Sequence, residues 1–287
     1  MLGECLEYLA LKPEGVYLDA TCGLGGHTGA IARRLTTGLV LACDRDAESL
    51  ELARANLADC ASRIRFHQSL FSMVGEVLAA EGIPQLDGLL ADLGVSRTQL
   101  TEGERGFSLQ AAGPLDMRMS RDVRMSSDTP GTAAEIVNYT PETELANLIY
   151  RLGEERRSRK IARAIVRARP INTTSQLAKL IEGVVPRTGK LHPATQTFMA
   201  LRLAVNRELE EVEALVAALP DLLKSGGRAV ILTFHSLEDR IVKHGFQALA
   251  KEGRAKLLTR HVVRPSDGEI RANPPSRSAK LRALERV

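Results

Sequence analysis

The stretch Val16-Tyr17-Leu18-Asp19-Ala20-Thr21-Cys22-Gly23-Leu24-Gly25-Gly26-His27 decides the fold of this chain. It opens as a short apolar β-strand and runs into a helical pattern. The glycines between them let the backbone turn sharply and come close to a ligand. The turn departs from the dinucleotide pattern G-x-G-x-x-G, because Thr28 occupies the slot of the third glycine. Working outward, β-like runs recur at 16–20, 39–44, 63–67 and 86–92, with helical patterns at 26–35, 46–60 and 71–81. The gaps between the runs are 18 residues each. Such regular β-α-β spacing predicts an α/β fold with a parallel, doubly wound sheet and right-handed crossovers.

The next convincing strand, 228–234, follows Gly226-Gly227, and 135 residues separate it from Asp92. That is too long for one crossover, so a further segment is expected there. It reads as helical, with patterns at 141–152, 154–169, 174–185 and 193–224. In 154–169, Ile161, Ala164, Ile165 and Ala168 form an apolar stripe, while Arg156, Lys160, Arg163 and Arg167 fall on another face. After the last strand come a helix near 236–251, an extended stretch near 255–263, and a basic tail that begins as coil at Pro274-Pro275.

Three strands end in acids: Asp19, Asp44 and Asp92. The carboxyl ends of parallel strands face one crevice, where an open sheet binds its ligand. Asp44 follows Gly25 by nineteen residues, a spacing that suits an acid accepting the hydroxyls of an adenosine ribose. Capping of the next helix by Asp44 and Asp46 is the competing reading. A cluster of carboxylates repels a pyrophosphate and attracts a sulfonium, which favours S-adenosylmethionine over a nicotinamide dinucleotide. In Phe234-His235-Ser236-Leu237-Glu238-Asp239-Arg240, Ser236 and Asp239 read as a helix cap, and His235 as a substrate contact at the crevice. No G-x-S-x-G elbow supports a hydrolase.

The chain has 287 residues, 44% hydrophobic and 26% charged, with a net charge of +4. These are globular values, and no apolar run approaches a membrane span. The four cysteines form no C-x-x-C pair, so neither a zinc site nor a disulfide framework is expected, and a reducing cytoplasm fits. The charge is uneven: 151–170 and 251–287 each carry +6, which leaves the rest at −8. Two basic segments on an acidic body suit a polyanionic partner. Aromatic residues make up only 3%, which argues against a platform that stacks successive bases.

Taken together, these stretches resemble the RsmH (MraW) family of ribosomal RNA cytosine-N4 methyltransferases. The resemblance rests on 19–28, 92–99, Arg105-Gly106-Phe107-Ser108, Pro114-Leu115-Asp116-Met117-Arg118-Met119 and His192-Pro193-Ala194-Thr195. It continues through 201–210, 234–243 and 276–282, almost end to end. It implies a class I, Rossmann-like methyltransferase domain over 1–104 and 203–287, with an inserted helical substrate-recognition domain over 105–202. It also implies a cofactor site at Gly25, Gly26, His27, Asp44, Phe71, Asp92 and Gln99, with Phe71 against the adenine; the competing reading of Phe71 is a core residue at a helix start. The implied substrate is a decoding-centre cytidine of 16S rRNA within the small ribosomal subunit, methylated at its exocyclic N4. Arg97-Thr98, Met199 and Pro275 depart from the family's usual Ser-Pro, Gln and Arg.

Cytosine N4 is a weak nucleophile, so catalysis is expected to rest on positioning and on an acceptor for its protons. Asp92 and His235 are the candidates. Arg156, Lys160, Arg163, Arg277 and Lys280 are expected to hold RNA phosphates. No metal is expected. The sequence presents no exposed apolar stripe that argues for a homodimer, though one is compatible with it. The rival reading is a non-catalytic RNA-binding or ribosome-assembly factor on the same fold, supported by the departures at 97, 199 and 275.

Overall fold

A computed structural model describes residues 1–95, 103–109, 111–120, 131–187, 189 and 191–287. The chain forms two compact units, Met1–Gly94 with Leu209–Val287, and Val95–Glu208. The boundaries expected after 104 and 202 differ from these divisions at 94 and 208. Residues 195–206 form one continuous helix whose Phe198, Leu201 and Val205 pack in the core of the second unit.

The first unit is built on seven strands: β1 (Val16–Asp19), β2 (Leu39–Asp44), β3 (Ile64–Gln68), β4 (Leu86–Asp92), β5 (Leu223–Thr233), β6 (Ala255–Leu257) and β7 (Lys280–Arg286). Their order is β3-β2-β1-β4-β5-β7-β6. The first five are parallel, and β7 lies antiparallel between β5 and β6. β5 begins with a bulged lead-in, since Leu86 pairs with Leu223 and Gly88 with Arg228; the regular pairing starts where the sequence predicts. Alternate residues feed two cores. Leu18, Leu41, Leu89 and Ile231 enter one, and Tyr17, Val40, Leu90 and Val230 the other. A sheet buried on both faces needs apolar residues at nearly every position, which is why 39–43 reads Leu-Val-Leu-Ala-Cys.

The helices are α1 (Leu2–Leu9), α2 (Gly26–Ala32), α3 (Ala47–Asn56) and α4 (Val74–Ala80), then α5 (Ala133–Tyr139), α6 (Glu142–Gly153), α7 (Ser158–Ala168), α8 (Thr174–Val184), α9 (Thr195–Asn206), α10 (Glu208–Leu222), α11 (Ser236–Lys251) and α12 (Asp267–Ala272). Helices α1, α2 and α3 cover one face of the sheet; α4, α10 and α11 cover the other. The chain winds outward from β1 through β2 to β3 and then returns to β4. The winding therefore reverses between β1 and β4, the point where open sheets bind ligands.

The tail, expected to begin as coil at Pro274-Pro275, opens with a single turn over Pro274–Ser278 and continues as a strand that the sequence reading does not anticipate. Leu281 and Ala283 enter one core and Leu284 the other. The flanking charges, Lys280 and Arg282 on Asp239 and Glu285 on Arg228, hide that alternation in the sequence.

The second unit buries Leu145, Ile149, Ile161, Ile165, Leu177, Ile181 and Leu201 in one core drawn from α5 to α9. Two expected helices are shorter than their patterns. Glu154 turns left-handed (φ 52°) and ends α6, while the carboxylate of Glu155 accepts from the Arg157 N–H at 2.7 Å. α7 therefore begins at Ser158 and not at 154. The pattern at 193–224 breaks at Arg207 (φ 48°) into α9 and α10.

Candidate functional site

Between β1 and α2 the backbone passes through Gly23 (φ 51°) and Gly25 (φ 92°), both left-handed. A Cβ at Gly25 would lie 2.6 Å from Leu57 Cδ1, so side chains are excluded there; at Gly26 nothing lies within 4 Å of one. Asp19 organises this turn from below. One of its oxygens accepts from the Thr21 N–H (3.1 Å), and the other from the Thr28 hydroxyl (2.7 Å). Asp19 is 0% exposed. This corrects the expectation that three carboxylates face the crevice: two do, and the third ties the loop to Thr28. The threonine that breaks the dinucleotide pattern is thus the loop's anchor.

Asp44, at the end of β2, has both oxygens oriented by backbone donors, Gly23 N–H at 2.7 Å and Asp46 N–H at 2.9 Å. Burial pushes its carboxyl up to about 6. Each carboxylate oxygen takes about two hydrogen bonds, so each retains one acceptor position for a ligand hydroxyl. Asp92 closes β4. Its N–H donates to Thr21 Oγ1 at 2.6 Å, and its Oδ2 lies 3.7 Å from Nδ1 of His27. Its Oδ1 is buried without a hydrogen-bond partner among the described residues. Burial raises its carboxyl to about 6, against the pull of His27. Phe71 opens a single turn before α4 and packs, half-buried, on the sheet core. Gln99 lies outside the described residues.

His235 stands at the end of β5, yet its ring belongs to a helix cap. Nδ1 accepts from the Glu238 N–H at 3.5 Å, and Nε2 lies 2.9 Å from Glu238 Oε1 without hydrogen-bond alignment. The Glu238 carboxylate reaches back to the Phe234 and His235 N–H groups. The capping box is therefore His235 with Glu238, one residue earlier than expected; Asp239 instead binds Lys280 and Arg282. Glu238 is the functional neighbour that sequence reasoning missed: 1% exposed, it helps raise the Asp92 carboxyl. The available signal was its place three residues after His235.

Of the expected phosphate contacts, Lys160 and Arg163 are exposed on α7, and Arg156 is exposed in the turn before it. Arg277 is exposed in the turn Pro274–Ser278, while Lys280 is committed to Asp239 at 3.2 Å. Among the described residues no group of three or more His, Cys, Asp or Glu side chains could hold a metal, and no helix is long and apolar enough to cross a membrane.

The model of the MraW methylase family matches residues 1–287. The chain belongs to that family. It is 57% identical over 285 residues to a ribosomal RNA small subunit methyltransferase H from Solibacter usitatus, covering 99% of this chain and 98% of that one. A protein of the same description from Acidobacterium capsulatum is 47% identical, with 100% and 97% covered. Among solved structures, a putative rRNA-methylase from Clostridium thermocellum aligns at 10% identity and a TM-score of 0.48, over 100% of this chain and 97% of that one.

The methylase is an S-adenosylmethionine-dependent enzyme, and the geometry around the β1/β4 reversal fits that cofactor. The open backbone at Gly26 admits close approach. Asp44 has acceptor capacity for ribose hydroxyls, and the unpartnered buried oxygen of Asp92 is complementary to a cation.

Proposed function

We propose that this methylase transfers the methyl group of S-adenosylmethionine to the exocyclic N4 of a cytidine in the decoding centre of 16S rRNA, acting in the cytoplasm on the small ribosomal subunit. The observation that carries this reading is end-to-end identity of 57% with a relative described as a ribosomal RNA small subunit methyltransferase. The N4 position comes from the family resemblance.

In this reading Gly25 and Gly26 give the cofactor access to the backbone, Asp44 accepts its ribose hydroxyls, and Phe71 offers a face to its adenine. When bound, the cofactor supplies an electrophilic methyl group. Asp92 performs the proton work. Its ionised carboxylate accepts from the N4 amino group, increasing electron density on nitrogen, and takes the proton that N4 must lose as the N–C bond forms. A carboxyl held near 6 is ionised at neutral pH yet basic enough to accept that proton. His235, whose ring nitrogens face Glu238, fixes the start of α11 instead of acting as the base.

The test is methyl transfer from labelled S-adenosylmethionine to unmodified small subunits, naked 16S rRNA and an unrelated duplex, followed by nucleoside analysis. N4-methylated cytidine formed only with ribosomal substrate supports the reading. Cofactor binding without transfer to any of the three overturns it. An Asp92→Asn protein should bind cofactor more weakly and lose roughly 100- to 10,000-fold in turnover, the range for removal of a general base.

A further inference from the structure

Ten aromatic residues serve the whole chain, and eight of them are buried or half-buried in the two units. Tyr139 and Tyr150 are the exceptions, both in the second unit. Tyr139 is 81% exposed, the highest value for any large apolar side chain among the described residues.

The backbone around Tyr139 is nevertheless held firmly. Asn138 donates to the Ile171 carbonyl and accepts from the Ile171 N–H, each at 2.8 Å. The Arg169 guanidinium donates to the carbonyls of Val137 (2.8 Å) and Thr140. Four hydrogen bonds thus tie the end of α5 to the segment that leaves α7, with Tyr139 between the tethered residues. A rigid backbone presenting a free aromatic ring is a pre-organised contact, with little ordering left to do on binding.

The surface beside it is cationic. On α7, Ser158, Ile161, Ala162 and Ile165 are buried, while Arg159, Lys160, Arg163 and Arg167 occupy the opposite arc. Arg163 meets Glu142 at 3.5 Å, which brings this arc to the start of α6, three residues beyond Tyr139. Lys160 and Arg167 have no ion pair among the described residues. Arg159 and Arg163, like Arg163 and Arg167, are like charges four residues apart, an arrangement that repels within the helix. A bound polyanion relieves that repulsion.

An exposed ring beside a row of cations matches a nucleotide that offers both a base face and phosphates. A duplex keeps its bases stacked and offers no free face; an unpaired strand offers one at every step. We propose that Tyr139 and the basic arc of α7 form one docking surface for single-stranded RNA. Tyr139 stacks an unpaired base while Lys160, Arg163 and Arg167 hold the adjoining phosphates. This deepens the rRNA reading and rests on it.

The chain contains no Trp, so Tyr139→Trp introduces a unique reporter. Titration with a short unpaired RNA should quench its fluorescence to saturation, and the same RNA in a perfect duplex should leave it unchanged. Tyr139→Ala should weaken binding of unpaired RNA roughly 5- to 100-fold, the range for loss of one stacked base, with S-adenosylmethionine affinity unchanged as the folding control. Wild-type affinity in Tyr139→Ala, or equal quenching by the duplex, overturns the docking surface while leaving the rRNA reading intact. Failure of the wild-type protein to bind any RNA overturns both.

Discussion

Asp44 and Asp92 are both carboxyls raised to about 6 by burial, yet their hydrogen bonds give them opposite responses to the same substitution. Both Asp44 oxygens accept backbone N–H groups, so Asp44→Asn sets an amide NH2 against one donor and should destabilise the loop by about 1–3 kcal/mol. Asp92 Oδ1 has no described partner, so Asp92→Asn removes a buried charge at little loss and should stabilise the cofactor-free protein by on the order of 1 kcal/mol, after discounting for partial exposure. Thermal melts of the two variants check this; destabilisation by both would contradict it. The pH dependence follows from the same shifts. A carboxyl with a folded value near 6 and an unfolded value of about 4 binds more protons in the folded state between those limits. The contribution of these two groups to stability therefore falls as pH rises from about 4 to about 6, then levels off. Cofactor affinity runs the other way, because ribose and sulfonium both favour the ionised form. Calorimetric titration should show S-adenosylmethionine binding weaken as pH drops below about 6, with Asp92→Asn showing a flatter profile. A wild-type slope in Asp92→Asn would remove Asp92 from the cofactor site.

At the scale of elements, α7 separates folding from function most cleanly. Its buried arc fixes its place in the core, and its basic arc is exposed, with Arg163 meeting Glu142 in a solvent-screened surface pair of little worth to stability. Lys160→Gln with Arg163→Gln should leave the melting temperature unchanged or slightly higher, since like-charge neighbours are removed. The same pair should reduce the slope of log affinity against log salt by about 1.4 for single-stranded RNA, about 0.7 for each phosphate no longer neutralised. An unchanged slope would make the arc a solvated surface. The parallel strands, the glycine turn and Ile161 and Ile165 of α7's stripe were legible because apolar period and turn residues report them directly; Ala168, expected in that stripe, is exposed, and Ser158 and Ala162 take the buried places instead. β7 was not legible, because Lys280, Arg282 and Glu285 take their partners from Asp239 and Arg228, distant in sequence. The burial of Asp19 was hidden for a similar reason: its strand-end position matches that of Asp44 and Asp92, and only the Thr28 hydroxyl distinguishes it. The cap at His235 was displaced by one residue because histidine seldom accepts at an N-cap, whereas Ser236 commonly would.

For the whole molecule, the proposed cofactor and RNA sites fall in different units. Gly25, His27, Asp44, Phe71 and Asp92 all belong to the unit of Met1–Gly94 and Leu209–Val287, whereas Tyr139, Lys160 and Arg163 belong to Val95–Glu208. Each unit has its own buried core, so each has its own opening free energy, and a ligand stabilises only what it binds. S-adenosylmethionine at about 100 times its dissociation constant should add about 2.7 kcal/mol to the opening free energy of the sheet unit. Amides in β1, β2 and β4 should then gain roughly a hundredfold in hydrogen-exchange protection, while those in α6, α7 and α9 should keep their cofactor-free rates. Short unpaired RNA should reverse the pattern, protecting α5 and α7 and leaving the strands unaltered. Equal protection of both units by either ligand would mean that the chain opens as one cooperative body, with two cores but a single unfolding step.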